Sequence, residues 1–206
     1  NSTPAEVENS TPAEASTAQR STVNTLLVID SISSDILPCH PSSRAFDTQH
    51  SASSGLALEN GNRTARATDL PCCFKMACSS AIGQEVLDTA ITVVIDKTHG
   101  SRLYMGVCFS AHPVFMYPGD PQMPDNNLIG WVGNSVPHNH GGRRLGQDWK
   151  AGDVISMKLE RTKRSLWAMH HRTGTVAAVE YHPGTVDTTE CRWFVALLDE
   201  GDQVSF

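Results

Sequence analysis

Residues 129–142 read IGWVGNSVPHNHGG, with His138 and His140 one residue apart between glycine-rich turns. On an extended strand side chains alternate with period two, so a His-x-His pair presents both imidazoles to one face, and many divalent-metal sites begin this way. The third ligand decides the matter. A carboxylate is wanted three or four residues after the second histidine, and positions 143 and 144 are both arginine. Two cations in that place oppose a divalent ion. Ligands from elsewhere would have to come from His170, His171 or His182, and the adjacent pair His170–His171 must point to opposite faces of a strand. Pro137, Asn139 and Gly141 mark the segment as a loop. We expect no metal and no cofactor here, and a loop that recognises something instead.

The other chemistries fare no better. The sequence contains no Gly-x-Ser-x-Gly elbow, no His-Glu-x-x-His, no Gly-x-x-x-x-Gly-Lys and no dinucleotide fingerprint. Asp96, Glu160, Asp187 and Glu190 could pair only as a glycosidase pairs two carboxylates, and no strand carries such a pair. A binding module without catalytic activity is the expectation.

Composition narrows what such a module binds. The chain has 206 residues, 16 basic against 22 acidic, and a net charge of -6, whereas phosphate backbones are bound by clustered Lys and Arg. One basic cluster, Arg161, Lys163 and Arg164, reads as a solvated hairpin turn. No apolar run approaches the roughly 18 residues of a membrane-spanning helix, so neither nucleic acid nor membrane insertion is expected. The six cysteines, at 39, 72, 73, 78, 108 and 191, show no Cys-x-x-Cys spacing and read as free thiols in a reducing, intracellular compartment. The Asn-x-Ser/Thr patterns at Asn1, Asn9 and Asn62 are too short to imply secretion.

The elements that must hold these loops are strands. Residues 1–44 carry an imperfect repeat, NSTPAE at 1–6 and 9–14, in Ser/Thr/Pro/Ala-rich sequence that buries too little apolar surface to order itself. This segment is a disordered tail or linker, with one short strand expected at 26–29. From residue 45 to 206, short strand-like segments alternate with turn residues. Leu56 and Leu58 precede an Asn60-Gly61 hairpin turn. CCFKMAC, AITVVIDKTHG and RLYMGVCFS follow as consecutive antiparallel strands, the last with Leu103, Met105, Val107 and Phe109 on one face and Gly106 allowing a close neighbour. In DVISMKLE, Ile155, Met157 and Leu159 keep period two. Only residues 81–89 read as a short helix. Gly152-Asp153 and Gly201-Asp202 read as tight turns into strands, with Asp bonding backbone donors two residues on. The tryptophans at 131, 149, 167 and 193 read first as core. The fold class is all-β, an antiparallel two-sheet sandwich.

The ordered pieces LYMGVCFS, GWVGNS, LGQDWKAGDVISMKLE, SLWAMHHRTG and RWFVALLDEGDQVSF resemble the SPRY domain, the module of butyrophilins, tripartite-motif ubiquitin ligases and related scaffolds, in a divergent member. The likeness covers residues 45–206, and the last strand is expected to run on past Phe206 in a longer protein. It implies a concanavalin-like jelly roll whose loops recognise a peptide or protein surface, as an adaptor or substrate-recognition part of a larger protein such as a ubiquitin ligase. On this chain the corresponding loops are 112–127 and 134–147, and Tyr117, Trp131, His138, His140, Arg143 and Arg144 are the expected partner-binding residues. The alternatives are a glycan-binding lectin, suggested by the Asp/Asn-rich 120–127 loop, and a hydrolase on the same sandwich. The partner's identity and the oligomeric state are left open.

Overall fold

Residues 44–51, 55–69, 75–83, 86–100, 102–109, 128–133, 143–181 and 191–206 are described by a computed structural model. They form β1 (Leu56–Glu59), β2 (Thr64–Ala67), β3 (Lys75–Cys78), β4 (Asp88–Lys97), β5 (Leu103–Cys108) and β6 (Leu128–Val132). The second half adds β7 (Arg143–Arg144), β8 (Val154–Glu160), β9 (Ser165–His170), β10 (Thr175–Glu180), β11 (Arg192–Leu197) and β12 (Gln203–Ser205). Two sheets result, ordered β1-β2-β12-β4-β8-β9-β10 and β3-β11-β5-β6-β7. Every pairing is antiparallel except the two-residue parallel contact of β6 with β7. The two-sheet sandwich expected from the alternation is what the chain builds.

Period-two patterning accounts for the core. Leu103, Met105, Val107 and Phe109 all face the space between the sheets, as do Ile155, Met157 and Leu159. Each large apolar side chain buried there contributes about 1.5–3 kcal/mol. The five-stranded sheet is apolar on its other face too, where Met76, Cys78, Tyr104, Cys108, Val132, Phe194 and Ala196 form a second buried cluster. Tyr104 meets Phe194 there edge-to-face, with centroids 4.9 Å apart. Strands β5 and β11 are therefore buried on both faces, which explains their continuous apolar sequence.

Some expectations need correction. CCFKMAC, AITVVIDK and RLYMGVCFS are consecutive in sequence but not in one sheet, since β4 leaves β3 and β5 to join the seven-stranded sheet. No helix forms among the described residues at 81–89: Ile82 makes a β-bridge with Cys191, and Asp88–Thr89 already pair with Glu160 and Leu159. Sheet pairing satisfies the backbone groups that a two-turn helix would leave half unsatisfied. The Gly-Asp turns exist, with φ of +86° at Gly152 and +83° at Gly201, but each Asp carboxylate accepts the amide three residues back, Lys150 and Asp199, instead of bonding forward. The strand expected at 26–29, and all of the tail but Arg44, lie outside the described residues. Cys78, Cys108 and Cys191 are buried, and the remaining cysteines lie outside the described residues.

Gly106 does permit the close approach expected of it. A Cβ there would lie 1.9 Å from the Ile129 carbonyl oxygen and 2.6 Å from Gly130 Cα, and one at Gly130 would lie 2.1 Å from the Met105 oxygen. Backbone, unlike a flexible side-chain tip, has nowhere to retreat. Gly106→Ala is expected to cost about 3 kcal/mol of unfolding free energy by urea titration. Gly152→Ala, which has open space but a positive φ, should cost only about 1 kcal/mol.

Candidate functional site

The sequence-expected residues attach around β6 and β7. Parallel pairing sets Trp131 opposite Arg143 and Val132 opposite Arg144. Because residues directly opposite share a face, Arg144 sits on the outer side of the five-stranded sheet with Val132, at the sheet's edge. Its guanidinium is 44% exposed and pairs with Asp148. An exposed ion pair of this kind adds little stability, so the arginine remains exchangeable toward a partner's acceptor.

A rigid turn presents it. Trp149, without exposure, donates its indole N–H to the Leu145 carbonyl at 3.1 Å, and its amide donates to the Gly133 carbonyl at 3.1 Å, tying the turn after β7 to the end of β6. Gly146, at φ +70°, lies over Thr173, Thr175 and His170, where a Cβ would come within 2.9–3.1 Å of polar atoms. Below it Asp153 accepts from His170 Nε2 at 2.9 Å, Arg172 Nε at 2.5 Å and the Lys150 amide at 2.8 Å. The other ring nitrogen of His170, Nδ1, lies 3.1 Å from the Thr173 hydroxyl. Burial pushes the Asp153 carboxyl up, but Arg172, the Lys150 amide and His170 more than offset it and hold it below the ordinary range.

This Asp-His-Thr order has the parts of a hydrolytic triad but not its exposure. His170 has no exposed surface, and Thr173 Oγ1 also bonds Thr175 Oγ1 within its own turn. The network clamps the β9–β10 turn against the turn before β8. His171 points the other way, as adjacency required, with Nε2 2.8 Å from Ser156 Oγ. Among the described residues no group of three or more His, Cys, Asp or Glu side chains is placed to hold a metal.

Trp131 does not belong in a partner-binding set. It has no exposed surface and packs among the inter-sheet core, because the inward phase of β6 carries Ile129 and Trp131 while Val132 takes the outward one. Trp149 and Trp193 are core as expected. Trp167 is not: it stands half-buried on the outer face of the seven-stranded sheet, donating to Glu160 Oε2 at 2.9 Å. Its place follows from register, since Leu166 and Ala168 take the inward positions of β9. Tyr117, His138, His140 and the side chain of Arg143 lie outside the described residues. The strand between them is described: Leu128 follows the segment that carries Tyr117, and Val132 and Gly133 precede the one that carries His138 and His140. About 13 Å of strand separates the two attachments.

No family model and no curated protein matches the sequence. Solved structures do. The SPRY domain of human HERC1 superposes with a TM-score of 0.58 at 17% identity, covering 78% of this chain and 96% of that one. The TRIM65 PSpry domain gives 0.52 at 11% identity, covering 80% and 89%. The chain thus folds as a SPRY-type antiparallel β-sandwich.

Acid should reveal the clamp. Because the folded Asp153 carboxyl lies below its unfolded value, its stabilisation is complete above about pH 4 and is lost as pH falls through the folded value. Asp153→Asn is expected to cost about 3 kcal/mol at pH 7 by chemical denaturation and to flatten the stability profile below pH 4 relative to the parent chain.

Proposed function

We propose that the chain is a non-catalytic protein-interaction module that reads an acidic or polar peptide segment or surface of a protein partner, serving as the adaptor or substrate-recognition part of a larger intracellular protein. The observation that carries this reading is the presentation of exposed Arg144 on the edge strand β7 by the Trp149–Asp153 turn. A planar guanidinium held on a rigid mount suits bidentate recognition of carboxylate, and arginine is enriched among residues that dominate binding energy. Loops on a rigid scaffold are where recognition residues gather. His138, His140, Arg143 and Arg144 form one group on this reading, and Tyr117 a second, attached at the other end of β6. The fold shared with SPRY domains of HERC1 and TRIM65 supports an interaction role, and the buried thiols of Cys78 and Cys191 fit a reducing compartment.

Affinity capture from lysate separates the groups. The chain with His138, His140, Arg143 and Arg144 changed to Ala should lose its specific partner roughly 30-fold, the effect of removing a hot spot of about 2 kcal/mol, with its melting temperature unchanged. A Tyr117→Ala chain reports independently on the other attachment. Equal capture by all three chains would overturn the reading, and sugar binding abolished by a calcium chelator would replace it with the lectin alternative.

A further inference from the structure

β10 bounds the larger sheet on one side, and nothing in its sequence guards that edge. Proteins blunt an open edge with charge, proline, a bulge or a short strand. β1, the opposite edge of the same sheet, is four residues long and ends in the Glu59–Arg66 ion pair. β10 runs for six residues, Thr-Val-Ala-Ala-Val-Glu, in unbroken register with β9 and with its one charge at the end. Tyr181, the next residue, donates its amide to the Arg164 carbonyl at 3.0 Å. Antiparallel bonding alternates along a strand, so Val179, Ala177 and Thr175 also turn their amides and carbonyls toward β9. Val176, Ala178 and Glu180 turn theirs the other way, where no strand of the described residues lies.

The side chains of these three residues share the outer face of the sheet, because Ala177 and Val179 take the inward positions. Val176 stands opposite Met169 and Ala178 opposite Trp167, all four half-buried. Trp167 is held by its bond to Glu160 Oε2, so a fixed indole stands beside a small residue at the edge. Glu160 is engaged by Lys158 and Lys163 as well. Glu180 is exposed and has no ion pair among the described residues.

We propose that β10 is a strand-addition site: an extended segment of a partner protein pairs antiparallel with it, sets apolar side chains beside Trp167 and Met169, and places a basic one opposite Glu180. The open row of amides and carbonyls bonds any extended chain, and the alternate side chains select among them. Charge chooses the occupant. A carboxylate is favoured opposite Lys or Arg and disfavoured opposite another acid. A second copy of β10 has no cation to set there and brings its own net charge of -6. The site lies on the other sheet from β7 and stands whether or not that edge binds a partner.

Amide hydrogen exchange of the full chain reads the pairing. The probe is acetyl-Lys-Thr-Val-Thr-Val-Thr-amide, whose lysine falls opposite Glu180 and whose valines fall opposite Ala178 and Val176. Millimolar peptide is expected to slow exchange at Val176, Ala178 and Glu180 roughly tenfold, while Ala177 and Val179, already bonded to β9, stay as they were. The same peptide N-methylated at both valines should protect nothing. Glutamate in place of its lysine should weaken binding to the parent chain about fivefold, and Glu180→Lys, an exposed position that leaves the fold intact, should reverse that preference. No added protection from millimolar peptide, equal protection from the methylated one, or an unreversed preference in Glu180→Lys would overturn the proposal. Protection that rises with protein concentration in the absence of peptide, with a doubled mass in sedimentation, would give the edge to a second copy and overturn it too.

Discussion

The buried carboxylate of Asp153 is the constraint on which the sandwich most depends. It gathers the Lys150 amide, His170 and Arg172, while its own carbonyl accepts the Ile95 amide of β4. One residue thereby joins the turn from β7, the start of β8, the β9–β10 turn and the middle strand of the larger sheet. Asp202 repeats the local geometry after Gly201, taking the amides of Asp199 and His99, yet its electrostatics are opposite. Burial and the neighbouring Asp199 carboxylate raise it above the ordinary range, and amide donors alone do not compensate. The difference is Arg172. With a guanidinium the Gly-Asp turn is a brace that gains from ionisation; without one it shapes the backbone and resists charge.

That brace explains why the β7 edge is a rigid mount. Antiparallel order sets the end of β5 beside the start of β6, at the end of the sandwich that also holds Cys191 and the Arg161 turn. Val132 and Gly133 lie at the opposite end of β6, the end that also carries the Asp153 and Asp202 turns.

Much of the sandwich was legible in the sequence because period two is a local property. Leu103, Met105, Val107 and Phe109, or Ile155, Met157 and Leu159, declare a shared face without any knowledge of the neighbours. Which sheet a strand joins is not local, and β4 sits between β3 and β5 in sequence while pairing with neither. The tryptophans show the same boundary. Trp131 and Trp167 look alike in sequence, and only the phase of their own strands separates a core residue from a surface one. That phase was readable in β9, where Leu166 and Ala168 flank Trp167, and in β6, where Ile129 precedes Trp131 by two. That Arg161 would reach back to Ile82 and Cys191 was out of reach, because it depends on which segments meet across the fold.

The unmet polar groups differ by where they sit. The indole N–H groups of Trp131 and Trp193 are buried within the inter-sheet core without partners, where each ring's apolar contact offsets a lost hydrogen bond of about 1 kcal/mol. No ligand could reach them without parting the sheets, so they are a cost of packing. Arg161 Nε and the Tyr181 hydroxyl, buried without partners too, lie at the ends of β8 and β10, where Arg161 Nη2 is held by the Ile82 carbonyl and Cys191 Sγ. An unsatisfied donor on a cation costs more than one on an indole and gains more when an anion meets it.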